Sequence, residues 1–240
     1  MMPGILLDSW TIVLKEWREW RCIRARLGWS ALLLLIVAWS FAAPILLSRF
    51  SVGALFAPTA WAALPITLAG AMIIDSIAGE RERQTLETLL ASRLSARAIL
   101  LGKVAAATLL GWLLLALGTL PGLLHQMLIA VGADASPSIM VRMVLGVATP
   151  AVVLIVLAGA LISLYTPSMR FALLLTIAFA GFLMVGITVW VVGWVSQSGG
   201  AIPVDTTIFG FGAASASVIN GVLLGWLLVA AQTDRLLAIR

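Results

Sequence analysis

Long apolar runs alternate with short polar stretches along this chain. A membrane-spanning helix needs about 20 residues at a rise of about 1.5 Å per residue, and several runs reach that length. The pattern predicts six spans, at 27–47, 52–74, 104–124, 143–164, 171–195 and 208–231. Because the runs are continuously apolar, they favour helices over barrel strands, which alternate apolar and polar positions. We therefore expect an all-α integral membrane protein with six transmembrane helices.

The residues ahead of the first run have an amphipathic pattern. Between residues 5 and 26, the apolar positions recur at helical spacing and share one face: Trp10, Val13, Trp17 and Trp20. Charged residues occupy the rest of this helix: Lys15, Glu16, Arg18, Glu19 and Arg21. Tryptophan favours the headgroup region of a bilayer, so the pattern predicts an interfacial helix over 1–26, anchored by its three tryptophans. An alternative is an elbow helix that also touches a cytoplasmic partner or a neighbouring subunit.

One polar segment, 75–103, interrupts the membrane domain that we expect over 27–240. It holds nine of the chain's charged residues, although the whole chain has only 15 Lys and Arg and 10 Asp and Glu. The nine are Asp75, Glu80, Arg81, Glu82, Arg83, Glu87, Arg93, Arg97 and Lys103. A polar helix between two spans must meet water or another protein, so this segment is the main indication of function.

The distribution of basic residues predicts the orientation. With the N-terminus inside, thirteen of the fifteen Lys and Arg lie on the cytoplasmic side, and only Arg49 and Arg142 lie outside. Both termini and the segment 75–103 are therefore expected in the cytoplasm, with the protein in the plasma or inner membrane. The net charge of +5 follows from this bias and does not indicate nucleic-acid binding.

Composition supports the membrane assignment, and the sequence offers little catalytic chemistry. Hydrophobic residues make up 62% of the chain and charged residues 10%, against roughly 25% charged in soluble domains. No P-loop, HExxH or G-x-S-x-G motif is present, so we expect no enzyme activity, cofactor or metal in this chain. The predicted spans lack the acidic and histidine relays of proton-driven carriers, and Lys103 at a span edge is expected to reach water.

Two GxxxG pairs allow close helix approach: Gly118 with Gly122, and Gly221 with Gly225. We interpret both as internal packing rather than as a subunit interface.

The segment 75–103 resembles the cytoplasmic segment of type-2 ATP-binding-cassette exporter permeases. In that family an acidic and basic run leads into a T-L-E-x-L-L core, and an I-L-L-G-K entry to the third span follows. The matching residues here are Glu80, Arg81, Glu82, Arg83, Thr85, Leu86, Glu87, Leu89, Leu90 and Ile99–Lys103. Two positions depart from the family pattern, Gln84 where glycine is common and Arg93 where proline is common. Both replacements favour a longer continuous helix.

The resemblance implies a cytoplasmic coupling helix between spans 2 and 3, in a permease that exports its substrate. Leu86, Leu89 and Leu90 would form an apolar docking face, and the charged residues from Glu80 to Glu87 would fix its register on the partner. The implied partners are cytoplasmic P-loop ATPase subunits, which would bind the ATP and Mg²⁺, together with a second permease copy and membrane lipids.

Other interpretations of the segment remain open. It could be an amphipathic loop helix that lies on the bilayer. It could also recruit a soluble protein to a membrane scaffold or assembly factor that transports nothing. A self-sufficient carrier is disfavoured because the predicted spans lack charges.

Overall fold

The computed structural model describes residues 2–27, 38–39, 53–85, 94–129, 144–197 and 206–230. These residues form helices and turns, and no strand occurs among them. The long helices are α1 (Met2–Leu27), α2 (Gly53–Ile74), α3 (Ala96–Ile129), α4 (Thr149–Tyr165), α5 (Met169–Gln197) and α6 (Thr206–Ala230). A π-helical turn, Asp75–Gly79, continues α2, and a second one, Val144–Ala148, leads into α4.

Five of the described helices are long and apolar enough to cross a membrane. They cover Ala62–Glu82, Ala96–Leu120, Val144–Tyr165, Met169–Val189 and Gly212–Ala230. These stretches correspond to the second to sixth spans that the hydrophobic pattern predicts. The predicted first span, 27–47, lies outside the described residues except at 27, 38 and 39, which are helical.

Helical structure extends into the predicted polar segment 75–103 from both ends. The helix that holds the second span continues through the π turn and the single turn Glu80–Glu82. The helix that holds the third span begins at Ala96. Within this segment the charged side chains of Glu80 and Lys103 pair inside the protein. The membrane boundaries of 75–103 stay a prediction.

The core lies where α2, α3 and α4 meet. On α4, the central helix, Val152, Ile155 and Val156 are fully buried. Glycine lets the helices approach closely, because a Cβ atom at Gly111 of α3 would lie 2.6 Å from Val152 Cγ1 and 2.8 Å from Ala69 Cβ. Such contacts are closer than carbon atoms tolerate, so a larger residue at 111 would push the helices apart.

By contrast, α5 and α6 expose most of their surface. Phe182, Val185, Val222 and other large apolar side chains on these helices are more than 60% exposed. A Cβ atom at Gly221 or at Gly225 would meet nothing within 4 Å. Both glycines of this GxxxG pair therefore face away from the described part of the chain, and their interpretation as internal packing stays a prediction.

The N-terminal helix α1 packs along α3. Gly102 permits this contact, because a Cβ atom there would lie 2.6 Å from Ile12 Cβ. Val13 is buried in a small apolar cluster with Ala106, Leu110 and Leu114 of α3. The N-terminal residues are therefore helical as expected, and this helix packs against α3 over much of its length.

The three predicted anchor tryptophans of α1 have different surroundings. Trp10 is 56% exposed, as an interfacial anchor would be. Trp17 is partly buried and packs against the cluster around Val13. Trp20 lies in the helix, but its side chain is outside the described part of the structure. Membrane anchoring by these residues stays a prediction.

Candidate functional site

The candidate site is a group of polar side chains where α2 and its π turn end, and we call it the polar junction. Its members are Lys15, Glu16, Ser76, Glu80, Arg81, Glu82 and Lys103. Three of them, Glu80, Arg81 and Glu82, belong to the charged run that the sequence singled out. The junction directly precedes residues 86–93, which lie outside the described residues.

The π turn shapes the start of the junction. Gly79 leaves room for the side chain of Asp75, because a Cβ atom at position 79 would lie 2.6 Å from Asp75 Oδ1. The same oxygen pairs with Arg83 Nη2 at 2.9 Å. The turn residues Ser76, Ile77, Ala78 and Gly79 are all buried. Single π turns inside helices are frequent at functional sites. This one leads directly into the helical turn Glu80–Glu82.

The helix ends at Glu82, and Gln84 lies in the turn that follows it. Its backbone has a φ of 59°, in the left-handed region that glycine adopts most easily. The backbone N–H of Gln84 donates to the carbonyl of Arg81 at 3.0 Å, and the Thr85 hydroxyl donates to the carbonyl of Glu80 at 3.2 Å. The expectation that glutamine at 84 favours a continuous helix is therefore wrong, because the chain adopts a glycine-like turn without the glycine.

Lys103 is the centre of a buried ionic cluster. Its side chain is fully buried, and its ammonium group donates to Glu16 Oε1 at 2.8 Å and to the Ser76 carbonyl and hydroxyl at 2.8 and 2.9 Å. Glu80 Oε2 lies 2.8 Å from the same nitrogen as an ionic contact. The expectation that Lys103 reaches water is wrong, because three partners hold the ammonium group inside the protein.

Glu80 and Glu16 also lie inside the protein. Glu80 is 7% exposed and Glu16 only 2%, whereas the amphipathic pattern placed Glu16 on the polar face of α1. On its second oxygen, Glu80 accepts a hydrogen bond from Lys15 Nζ at 3.0 Å. Buried charges are tolerated when they are paired and hydrogen-bonded. The cluster therefore joins α1, the end of α2 and α3 through alternating charges.

Lys15 lies at the outer edge of this cluster. Burial tends to lower its pKa, but the hydrogen bond and the charge of Glu80, followed by those of Glu19, outweigh that effect and raise the pKa. Lys15 therefore stays protonated throughout the physiological range. Its pairing would be lost only as the pH rises through this raised pKa.

Carboxylates of Glu16, Glu19 and Glu80 lie within 4.8 Å of one another, a spacing that could hold a metal ion. However, the ammonium groups of Lys15 and Lys103 already contact these carboxylates. A metal ion would have to displace at least one of them, so we interpret the cluster as an ion-pair network.

Arg81 fastens the end of α4 to the junction. Its guanidinium donates to the carbonyl of Ser163 at 3.0 Å and to the carbonyl of Thr166. These carbonyls belong to the last turn of α4 and the residue that follows it, where backbone acceptors lack helical partners. A cation at a helix C-terminus is also favoured by the helix dipole, so Arg81 caps α4.

Glu82 caps the start of α5. Its Oε1 accepts a hydrogen bond of 2.6 Å from the backbone N–H of Met169, the first residue of α5. Ser168 Oγ accepts from the N–H of Phe171 at 3.3 Å. An acidic group at a helix N-terminus satisfies unpaired N–H groups and complements the helix dipole. Arg81 and Glu82 together fix the short connection between α4 and α5.

The predicted site residues therefore divide into three groups. Glu80, Arg81 and Glu82 contact other helices of the same chain. Arg83 and Thr85 are exposed at the end of the span, although Arg83 pairs with Asp75. Leu86, Glu87, Leu89 and Leu90 lie outside the described residues, so the proposed docking face stays a prediction.

Sequence reasoning missed four members of the junction: Lys15, Glu16, Ser76 and Lys103. The available signal was an isolated charge in an apolar context, since Lys103 has no other charged residue nearer than Arg97 before it or Asp134 after it. A charge in that position requires a buried partner when it does not lie at a membrane edge.

Comparison with known families identifies the class of protein. The model of the ABC-2 family transporter protein matches residues 49–220, which is most of the chain. No curated protein gives a significant match. The chain therefore belongs to the ABC-2 transporter family, as a permease subunit of a type-2 ATP-binding-cassette transporter. Permeases of this class work with an ABC ATPase subunit and cross the membrane several times, which agrees with the apolar helices.

Proposed function

We propose that this permease is half of a homodimeric exporter in the plasma or inner membrane, driven by separate P-loop ATPase subunits. On this proposal both termini and the junction face the cytoplasm. The permease itself catalyses no reaction and holds no cofactor, because the partner binds the ATP and Mg²⁺. The basic-residue distribution supports the orientation, and the family resemblance supports export and dimerisation.

The observation that carries the proposal is the position of the polar junction. It lies immediately before residues 86–93, the segment proposed to dock on the ATPase. Glu80 contacts Lys15 on α1 and Lys103 on α3, Arg81 contacts the end of α4, and Glu82 contacts the start of α5. A displacement of the docking segment would therefore be transmitted to four helices, α1, α3, α4 and α5. This arrangement supports a coupling function, since coupling requires rigid contacts between the driven segment and the spans.

The docking step is tested with the complex purified from native membranes. We expect the double variant Leu86→Asp and Leu90→Asp to lose its ATPase partner, because two carboxylates would be buried in an apolar interface. A suitable control is Leu7→Asp, since Leu7 is 68% exposed on α1 and lies outside the segment. Undiminished co-purification of the ATPase with the double variant would contradict the docking role.

A scaffold would also recruit a soluble protein through this segment. The two functions differ in their response to nucleotide, because a transporter must change conformation with the ATPase cycle and a scaffold need not. Proteoliposomes that contain the complex and retain ATP hydrolysis, but whose permease shows no nucleotide-dependent change in labelling, would favour the scaffold.

A further inference from the structure

A cavity of about 530 Å³ lies between α4, α5 and α6, away from the polar junction. Its size falls within the range of about 300–1,000 Å³ that is typical of small-molecule sites. The π turn before α4 forms part of its wall. Its walls include Gly186 of α5 and Ser215 and Ala216 of α6.

The walls of the cavity are almost wholly apolar. Among the described residues that line it, none is charged, and the one polar side chain, Ser215, donates its hydroxyl hydrogen to the carbonyl of Gly212 at 3.0 Å. The surrounding helices are held at this spacing by Asn220, whose Nδ2 donates to the carbonyl of Pro150 at 3.1 Å. The site is therefore suited to an apolar occupant and offers a charged headgroup no partner among its lining residues.

The dimensions discriminate between a protein helix and a hydrocarbon chain. A helix about 10 Å wide that rises about 1.5 Å per residue occupies about 120 Å³ per residue, so the cavity would take little more than one turn. That is too short a segment to be a docked helix from a second copy. A single hydrocarbon chain is thinner and needs no hydrogen-bond partners. Three candidate membrane spans form the walls, so acyl chains are the apolar material that surrounds them.

We infer that this cavity binds one acyl chain of a membrane phospholipid. The headgroup lies outside, and the chain contacts the walls formed by α4, α5 and α6. Burial of methylene groups between three helices would hold the chain longer than contact with a single helix face does. This inference requires only that the helices span a membrane, and it does not depend on coupling to an ATPase.

Two glycines on α5 provide a matched pair of variants. A Cβ atom at Gly186 or at Gly181 would meet nothing within 4 Å, so a larger residue fits at either position. Gly186 lines the cavity, whereas Gly181 does not. Gly186→Phe therefore fills the site, and Gly181→Phe makes the same chemical change on the surface of the same helix. Ala216→Trp and Ser217→Trp on α6 repeat the comparison should a Gly186 variant fail to fold.

The test uses the full-length permease in synthetic phospholipid vesicles that contain a phospholipid with a photoreactive diazirine on one acyl chain. Crosslinked peptides are mapped by mass spectrometry. We expect labelling per residue to be about tenfold higher on the cavity walls than on the exposed positions Val222 and Val229 of α6, a ratio that corresponds to a modest binding preference. Gly186→Phe should abolish that excess, and Gly181→Phe should leave it unchanged.

Equal labelling of the cavity walls and the exposed face of α6 would overturn the inference, because it would indicate ordinary contact with the bilayer. An equal loss in both glycine variants would also overturn it. Cavity labelling that occurs only in native membranes, and not in synthetic vesicles, would refute the phospholipid assignment and favour a cellular amphiphile such as the transported substrate.

Discussion

The helices around the polar junction are mostly buried inside the chain, whereas α5 and α6 are mostly exposed. The share that is buried inside the chain is 61%, 72% and 56% for the first three of the five candidate spans, and only 17% for each of the last two. The first group is fixed by glycine contacts and a buried ionic cluster. The second group presents apolar side chains to its surroundings. The difference indicates that the first group is packed inside the chain, whereas the second leaves apolar surface that the described residues do not cover.

The largest expected effect comes from removing the central cation of the junction. Lys103→Met leaves Glu16 and Glu80 buried without their shared partner, which should lower the free energy of unfolding by about 3–5 kcal/mol. Thermal unfolding in detergent, followed by size-exclusion chromatography, measures the change. The matched control is Arg83→Met, because the pair of Arg83 with Asp75 is solvent-exposed and should contribute at most about 1 kcal/mol. If the two variants unfolded at the same temperature, the ionic cluster would not be a stabilising element.

The next effect concerns the connection between α4 and α5. Arg81→Met removes the donors that cap the carbonyls of Ser163 and Thr166, and charged hydrogen bonds contribute about 1.5–3 kcal/mol each. Hydrogen exchange of the backbone amides from Met169 to Ala172 should accelerate at least about tenfold, since each 1.4 kcal/mol corresponds to a factor of ten. Glu82→Gln keeps an acceptor for Met169 and should change exchange less. Unchanged exchange in Arg81→Met would show that α4 and α5 are not held by the junction.

Glycine substitutions compare the two regions directly. Gly111→Ala forces a Cβ atom against Val152 and Ala69, and overpacking of this kind costs about 1–3 kcal/mol. Gly221→Ala meets open space and should be neutral or stabilise the helix by up to about 1 kcal/mol. Thermal unfolding of both variants tests the contrast. Destabilisation by Gly221→Ala would place a close protein contact at that face, and a loss of dimer in native mass spectrometry would identify it as the subunit interface.

The smallest expected effect is at Thr176 of α5. Its side chain is 2% exposed, and its hydroxyl has no hydrogen-bond partner among the described residues, while its methyl group faces Gly70. Thr176→Val keeps the shape and removes the unsatisfied hydroxyl, so stability should stay level or rise by about 1 kcal/mol. Thr119→Val is the comparison, because the Thr119 hydroxyl donates to the carbonyl of Leu115 at 2.9 Å. A clear loss of stability in Thr176→Val would reveal a polar partner for this hydroxyl.

The sequence predicted the features that depend on composition and periodicity. Long apolar runs located the five candidate spans. The spacing of Val13 and Trp17 indicated an apolar face on α1, although that face was assigned to the membrane surface and packs on α3. The charged run from Glu80 to Arg83, with the T-L-E-x-L-L core, led to the right family. These properties are local, so they can be read without knowing which helices are neighbours.

The internal partners of the charges could not be predicted in the same way. Lys103 is 87 residues from Glu16 and 27 from Ser76, so their contacts depend on the tertiary packing of α1, α2 and α3. Counting each charge as a sign of water placed Lys103 at a membrane edge, although it is buried. The turn at Gln84 was missed for a different reason, since helix propensity is a weak preference that tertiary contacts override.

The most direct test of the coupling account is site-specific crosslinking between the end of α2 and the ATPase. Thr85→Cys, in a background in which the single native cysteine Cys22 is replaced by serine, places a thiol next to the junction. Val222→Cys places one on the exposed face of α6 as the control. We expect the cysteine at position 85 to crosslink to the ATPase, with a yield that differs between nucleotide-free and ATP-trapped complexes. The cysteine at position 222 should not crosslink to the ATPase. The absence of any crosslink from position 85, or a yield that does not change with nucleotide, would contradict the coupling function.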